Sequence, residues 1–192
     1  MARPRSDERR TAILSAATRI IAAQGLTAAT ATIAREAGVS NGSLFLYFDT
    51  KSTLVNELYL ALKIEMAAAA LDGIPVDAGI RTKSLHMWDH WLDWAIAHPQ
   101  KRRALAQLDV SEDVTADSHR SASSAMSGIA ELLDQSRREG ALRDAPLSFV
   151  VTLLTAIAEA TIDSIIREPG QAAAHRIDGF DALWRVLAGT NQ

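Results

Sequence analysis

The chain has 192 residues, 48% of them hydrophobic and 22% charged, a composition that sustains a buried core and argues against disorder. It contains no cysteine, which excludes disulfides, thiolate zinc sites and cysteine nucleophiles and suits a reducing cytoplasm. The net charge is −3, yet residues 1–51 carry seven Lys or Arg against four Asp or Glu, a net +3 that leaves −6 on the rest. A weakly basic head on an acidic body points to a polyanionic partner for the head alone. The opening MARPRSDERR is charged and lacks the apolar run of a signal peptide, so the expected location is the cytoplasm.

Helical spacing begins early. Ile13, Leu14, Ala17, Ile20 and Ile21 repeat on one face, with Ser6 as an N-cap and Gly25 as the stop. The stretch TAATATIAREAG then predicts a second helix of about two turns, ending at Gly38, a residue type that takes the left-handed turn position at no steric cost. Ser40 is suited to cap a third helix from Asn41 through Phe48. Lys51 opens a longer one with Leu54, Leu58, Leu62 and Met66 on its apolar side. After the linker DGIPVDAG at 72–79, helical patterns fall near 78–97, 100–110, 115–139, 146–167 and 176–188. No alternating strand pattern or solenoid repeat appears, so the expected class is all-α.

Two short helices joined through Ala37-Gly38-Val39-Ser40 match a helix-turn-helix, whose second helix enters the DNA major groove. Leu44 and Phe48 form a buried stripe, which leaves Ser40, Asn41, Gly42, Ser43 and Tyr47 facing outward. The order Ile33-Ala34, AGVSNGSL, Phe45, Tyr47-Phe48 and Lys51 resembles the N-terminal pattern of the TetR family of bacterial transcriptional regulators, over about residues 9–60. That resemblance implies a three-helix DNA-binding domain at 1–50 and a larger helical effector-binding and dimerisation domain at 51–192. It also implies that Thr30, Ser40, Asn41, Gly42, Ser43, Phe45, Tyr47 and Lys51 lie at the surface of double-stranded DNA. Lys51 gains nothing from the helix dipole at its position, and a phosphate partner accounts for it. Phe45 stands where many relatives have tyrosine, Ala31 and Thr32 where relatives are often basic or polar, and the loop before Ile33 is one residue short. These departures lighten the phosphate grip, which leaves either a modest intrinsic affinity or reliance on Arg3, Arg5, Arg9 and Arg10, arginines that read equally well as a solvated tail and helix face.

In the body, the stretch 146–167 has the length of a membrane span, but Glu159 and Asp163 argue against one. Its polar stripe of Ser148, Thr152, Thr155, Glu159 and Asp163 leaves two apolar faces to cover. Ile177, Phe180, Leu183, Trp184 and Leu187 make a narrow seam on the last helix. A homodimer through these two helices is expected, as the resemblance also implies, and its two-fold axis matches a palindromic operator. Trp88 and Trp91, together with Met126, Phe149 and Leu153, read either as core or as the lining of an apolar small-molecule effector cavity, with Glu159 facing a cationic group. His86 and His90 are spaced as half of a metal site, the one basis for an alternative reading as a small metal-dependent enzyme. No phosphate-binding glycine loop or nucleophile elbow occurs, so neither catalysis nor a cofactor is expected.

Overall fold

The structure, a computed structural model, describes residues 3–188, with side chains from Ser6 onward. All regular elements among the described residues are helices: α1 Arg3–Gln24, α2 Thr30–Glu36, α3 Asn41–Phe45, α4 Lys51–Leu71, α5 Ile80–Ala97, α6 Pro99–Asp109, α7 Ala116–Ala125, α8 Ser127–Ser136, α9 Leu147–Arg167 and α10 Ala172–Ala188. A single 3-10 turn, Pro169–Gln171, precedes α10.

Four expectations need correction. α1 starts at Arg3, so Ser6 lies inside the helix rather than capping it; Pro4 falls in the first turn, where a missing N–H costs no helical bond. α3 stops at Phe45, because the Tyr47 and Phe48 amides both turn back to the Leu44 carbonyl at 3.0 and 3.1 Å. The pattern at 115–139 forms two helices, with Met126 at φ −96° and ψ 11° between them. That break sits between Ser123-Ser124 and Ser127-Gly128, all weak helix formers. α10 starts four residues earlier than the apolar seam suggests.

The chain forms two compact units. The first holds residues up to Glu65 together with His98–Ala125, and the second holds Met66–Ala97 and Met126 onward. Compactness thus divides the chain elsewhere than residue 50, passing from one unit to the other inside α4.

In the first unit α1 packs on α2 and α6, and α2 on α3. Ile13, Ile21, Ile33, Leu44, Phe48, Leu54 and Leu58 are essentially fully buried. The Asn56 carboxamide fastens α4 to the segment before α7. Its Nδ2 donates to the Asp113 carbonyl at 2.9 Å, and its Oδ1 accepts from the Thr115 amide at 2.8 Å. Tyr59, also on α4, is buried with its hydroxyl 3.1 Å from His119 Nδ1. Burial first, and the negative charge of Asp109 second, push that phenol far above its ordinary range, so it stays protonated.

In the second unit α5 packs against α8, α9 and α10, and α9 against α10. Gly179 permits the close approach: a Cβ there would fall 2.3 Å from Thr161 Oγ1 and 3.0 Å from the Trp88 ring. Arg81 pairs with Asp181, and Arg176 with Asp93 and Asp89, tying α5 to α10 at two points. Burial raises the Asp89 carboxyl above its ordinary value, with Asp93 adding to the shift and Arg176 opposing it. The hydroxyls of Ser84 and Ser136 pair at 2.9 Å in the buried contact of α5 with α8. Leu147–Arg167 is long and apolar enough by composition to cross a membrane, but Val150, Leu154, Ala158 and Ile162 are buried within this unit.

Candidate nucleic-acid interface

The turn between α2 and α3 is built by one glycine. Gly38 has φ 69°, and the Val39 amide reaches back to the Ala34 carbonyl at 3.0 Å, closing the end of α2. Val39 fills the corner, and Ser40 caps α3 by accepting from the Ser43 amide at 3.0 Å. The Ser40 and Ser43 hydroxyls also pair at 2.8 Å, so much of their capacity is used within the element. Leu44 and Phe48 anchor the inner face, with relative exposures of zero. The guanidinium of Arg10 covers the Phe48 ring at 5.3 Å and pairs with Glu57. Arg19 pairs with Glu36 at 2.8 Å, fixing α1 against α2.

The outward face is mixed. Asn41 and Gly42 are exposed, Ser43 and Tyr47 are partly exposed, and neither the Asn41 carboxamide nor the Tyr47 hydroxyl has a hydrogen-bond partner among the described residues. Phe45 is 37% exposed. Thr30, half-buried, opens α2 without capping it. The structure therefore brings six of the eight expected DNA-facing residues onto or beside one short element, with Thr30 on the preceding helix and Lys51 at the start of the next. Lys51 has a different explanation from the one the sequence suggested: its Nζ donates to the Leu26 carbonyl at 2.5 Å, tying the start of α4 to the α1–α2 turn. A phosphate is not needed to account for it. Arg9 is exposed and Arg10 is engaged internally, while the side chains of Arg3 and Arg5 lie outside the described residues.

Leu46 is the residue that sequence reasoning missed. At 84% exposure it is far more open than Phe45, immediately after α3. The signal lay in the spacing, since a leucine two residues after the buried Leu44 and two before the buried Phe48 cannot share their face.

Residues 13–58 match the sequence model of bacterial regulatory proteins, tetR family. A TetR-family transcription regulator from Shewanella sp. PV-4 superposes with a TM-score of 0.82 at 29% identity, over 92% of this chain and 96% of that one. The chain is thus similar to TetR-family regulators, by sequence over its N-terminal region and by fold over nearly its whole length. A second TetR-family regulator, from Marinobacter aquaeolei VT8, gives a TM-score of 0.84 at 20% identity over 96% of this chain and 98% of that one. The TetR-like regulator LfrR from Mycobacterium smegmatis, solved with proflavine, gives 0.65 at 19% identity over 96% and 98%. The chain accordingly shares the all-α fold of these proteins, with an N-terminal helix-turn-helix.

Its second unit departs from several expected roles. Phe180, Leu183, Trp184 and Leu187 are at most 4% exposed within one chain, so the seam on α10 faces the protomer's own core; only Ile177, at 61%, remains open. Of the six expected effector residues, Trp88 is fully buried, with its Nε1 donating to the Arg176 carbonyl at 3.2 Å. Trp91, Met126, Leu153 and Glu159 are half-buried, and Phe149 is 52% exposed, too open to line an enclosed space within this chain. None of the six lines the open cavity of about 230 Å³ in this unit. Leu71, Ile74, Val76 and Leu132 give that cavity apolar walls, and Lys83, Glu131 and Gln135 add polar groups. The imidazoles of His86 and His90 stack at 3.9 Å, and His86 Nε2 donates to the Asp72 carbonyl at 2.7 Å.

Proposed function

We propose that this protein is a cytoplasmic, non-enzymatic, ligand-responsive transcription regulator that binds double-stranded DNA, and that it acts as a repressor released from a palindromic operator by a small apolar effector. The observation that carries this reading is the capped, internally braced helix-turn-helix whose outer face holds Asn41 and Tyr47 without partners. In this division of roles residues 1–50 read DNA, through Ser40, Asn41, Gly42, Ser43, Phe45 and Tyr47 with Thr30 nearby, Lys51 adds a contact from the first residue of α4, and the rest of 51–192 senses and dimerises. Pairing of two copies rests on the outward side chains Phe149, Val151 and Ile166 of α9 with Ile177 of α10, since the remaining seam residues are covered. Two reading heads about one helical turn apart, roughly 34–36 Å, then match a two-fold operator.

The effector site is the cavity beside Leu71 and Leu132, extended toward Trp91 and Leu153 if the helices part. LfrR, which shares the fold, was solved with a small aromatic molecule, proflavine. An effector that favours one arrangement of the second unit needs a coupling of only about 1–3 kcal/mol to shift operator affinity five- to 150-fold.

A gel-shift titration against DNA flanking the protein's own gene, with excess nonspecific competitor and at two salt concentrations, tests this. The expected result is a competitor-resistant, salt-sensitive shift that Tyr47→Ala weakens without loss of helicity. Absence of any shift at low salt on such fragments, or an unchanged shift with Tyr47→Ala, would count against the reading.

A further inference from the structure

We propose that the reading element selects A·T base pairs in its operator half-site, with adenine read by Asn41 and thymine methyl groups by Leu46 and Phe45. The inference rests on the reading of this chain as a DNA-binding regulator and adds the chemistry of the bases it chooses. Three observations carry it. First, residues 36–50 contain no Lys, Arg or His, so α3 and its flanks present no cation to a base edge. The commonest specific contact to guanine, a guanidinium or ammonium on O6 and N7, is therefore missing. Second, the Asn41 carboxamide is the exposed bidentate group on this element and has no hydrogen-bond partner among the described residues, whereas the Ser40 and Ser43 hydroxyls bond each other. A carboxamide matches the N6 donor and N7 acceptor of adenine in the major groove. Third, Leu46 at 84% and Phe45 at 37% exposure place apolar surface on or just after the same short element. Thymine is the one base that offers a methyl group in the major groove.

Gly42 strengthens the argument, because the absence of a Cβ beside Asn41 lets the backbone approach the base edge closely. An element so poor in charge draws its specificity from shape and methyl contact, and its phosphate contacts come from flanking residues such as the exposed Arg35.

The test uses the full-length protein and a random double-stranded DNA library. Selected sites are expected to centre on A·T pairs. Such a site is then resynthesised with deoxyuridine in place of thymidine, which removes the methyl, and separately with 7-deazaadenine, which removes the N7 acceptor. Each contacted methyl should cost about fourfold in affinity, and loss of the adenine contact roughly fivefold or more. Leu46→Ala should reduce the response to deoxyuridine to the share that Phe45 contributes and leave the response to 7-deazaadenine, whereas Asn41→Ala should abolish the response to 7-deazaadenine and leave that to deoxyuridine. Both side chains are exposed, so helicity and thermal midpoint should match the parent. Selection of G·C-centred sites, or A·T sites whose affinity ignores both base analogues, overturns the inference and leaves the regulator reading standing. Failure to enrich any sequence overturns the regulator reading and the inference with it.

Discussion

The two units handle polar groups in opposite ways. In the second, most polar side chains near the core are paired with each other or with backbone: Arg176 with Asp89 and Asp93, Arg81 with Asp181, Ser84 with Ser136, the Trp88 indole with a carbonyl, the buried Trp184 indole N–H being an exception. In the first, the braces are equally internal around α1, α2 and α4, but α3 is kept apart from them. Its inner face is wholly buried at Leu44, while its outer face holds Asn41 and Tyr47 without partners and Leu46 in water. Groups left unsatisfied at a surface can be used on something else, whereas groups satisfied internally hold helices in place.

The largest test of this contrast replaces buried with exposed residues on one helix. Trp184→Ala removes a side chain that is 4% exposed and should cost about 3–5 kcal/mol of stability. Ile177→Ala, seven residues earlier and 61% exposed, should stay within about 0.5 kcal/mol in urea melts at low protein concentration. Equal losses at the two positions would mean that α10 is not divided into an inner and an outer face. A smaller effect separates bracing from reading within the head. Ser40→Ala removes the cap of α3 and should cost about 1 kcal/mol in thermal stability, whereas Leu46→Ala should be near neutral there.

The smallest effect concerns pH. The Asp89 carboxyl is raised above 3.8 in the folded protein, so the folded state holds its proton more tightly than the unfolded chain. Its contribution is therefore present at acid pH and is lost as pH rises through the folded value. Asp89 has a side chain 40% exposed, and solvent screening keeps the effect below about 1 kcal/mol. Asp89→Asn should flatten this part of the stability profile measured by urea titration, and an unchanged slope would show that another group sets it.

Much of the head was legible in the sequence because its determinants are local. Gly38, Ser40 and the Leu44/Phe48 spacing each act within a few residues, and the turn, cap and buried stripe follow from them. Helix positions in the body were legible for the same reason, as at α5 and α9. What covers an apolar stripe is a question about the rest of the chain. Periodicity located Phe180, Leu183, Trp184 and Leu187 on one face of α10 but could not distinguish a partner chain from α5 and α9 of the same chain. Gly179, which lets α10 come close to Thr161 and Trp88, was the clue to that burial. The internal bond of Lys51 was not legible because its carbonyl partner, Leu26, lies 25 residues away and carries no sequence mark. The effector positions stayed unsettled because a tryptophan at helical spacing reads alike as lining and as filler, and Phe149 was placed inside on apolarity alone.

Asn56 gives the chain, which is helical in all its regular described elements, a piece of sheet chemistry. Its side-chain amide has the same donor and acceptor as a peptide unit, and it docks on Asp113 and Thr115 as a neighbouring strand would. A backbone amide cannot be mutated away, but this one can. Aspartate in its place would lack the donor and set a negative charge against a carbonyl, and glutamine would overreach by a methylene. Replacing this one carboxamide by a carboxylate would therefore free the segment ahead of α7 from α4.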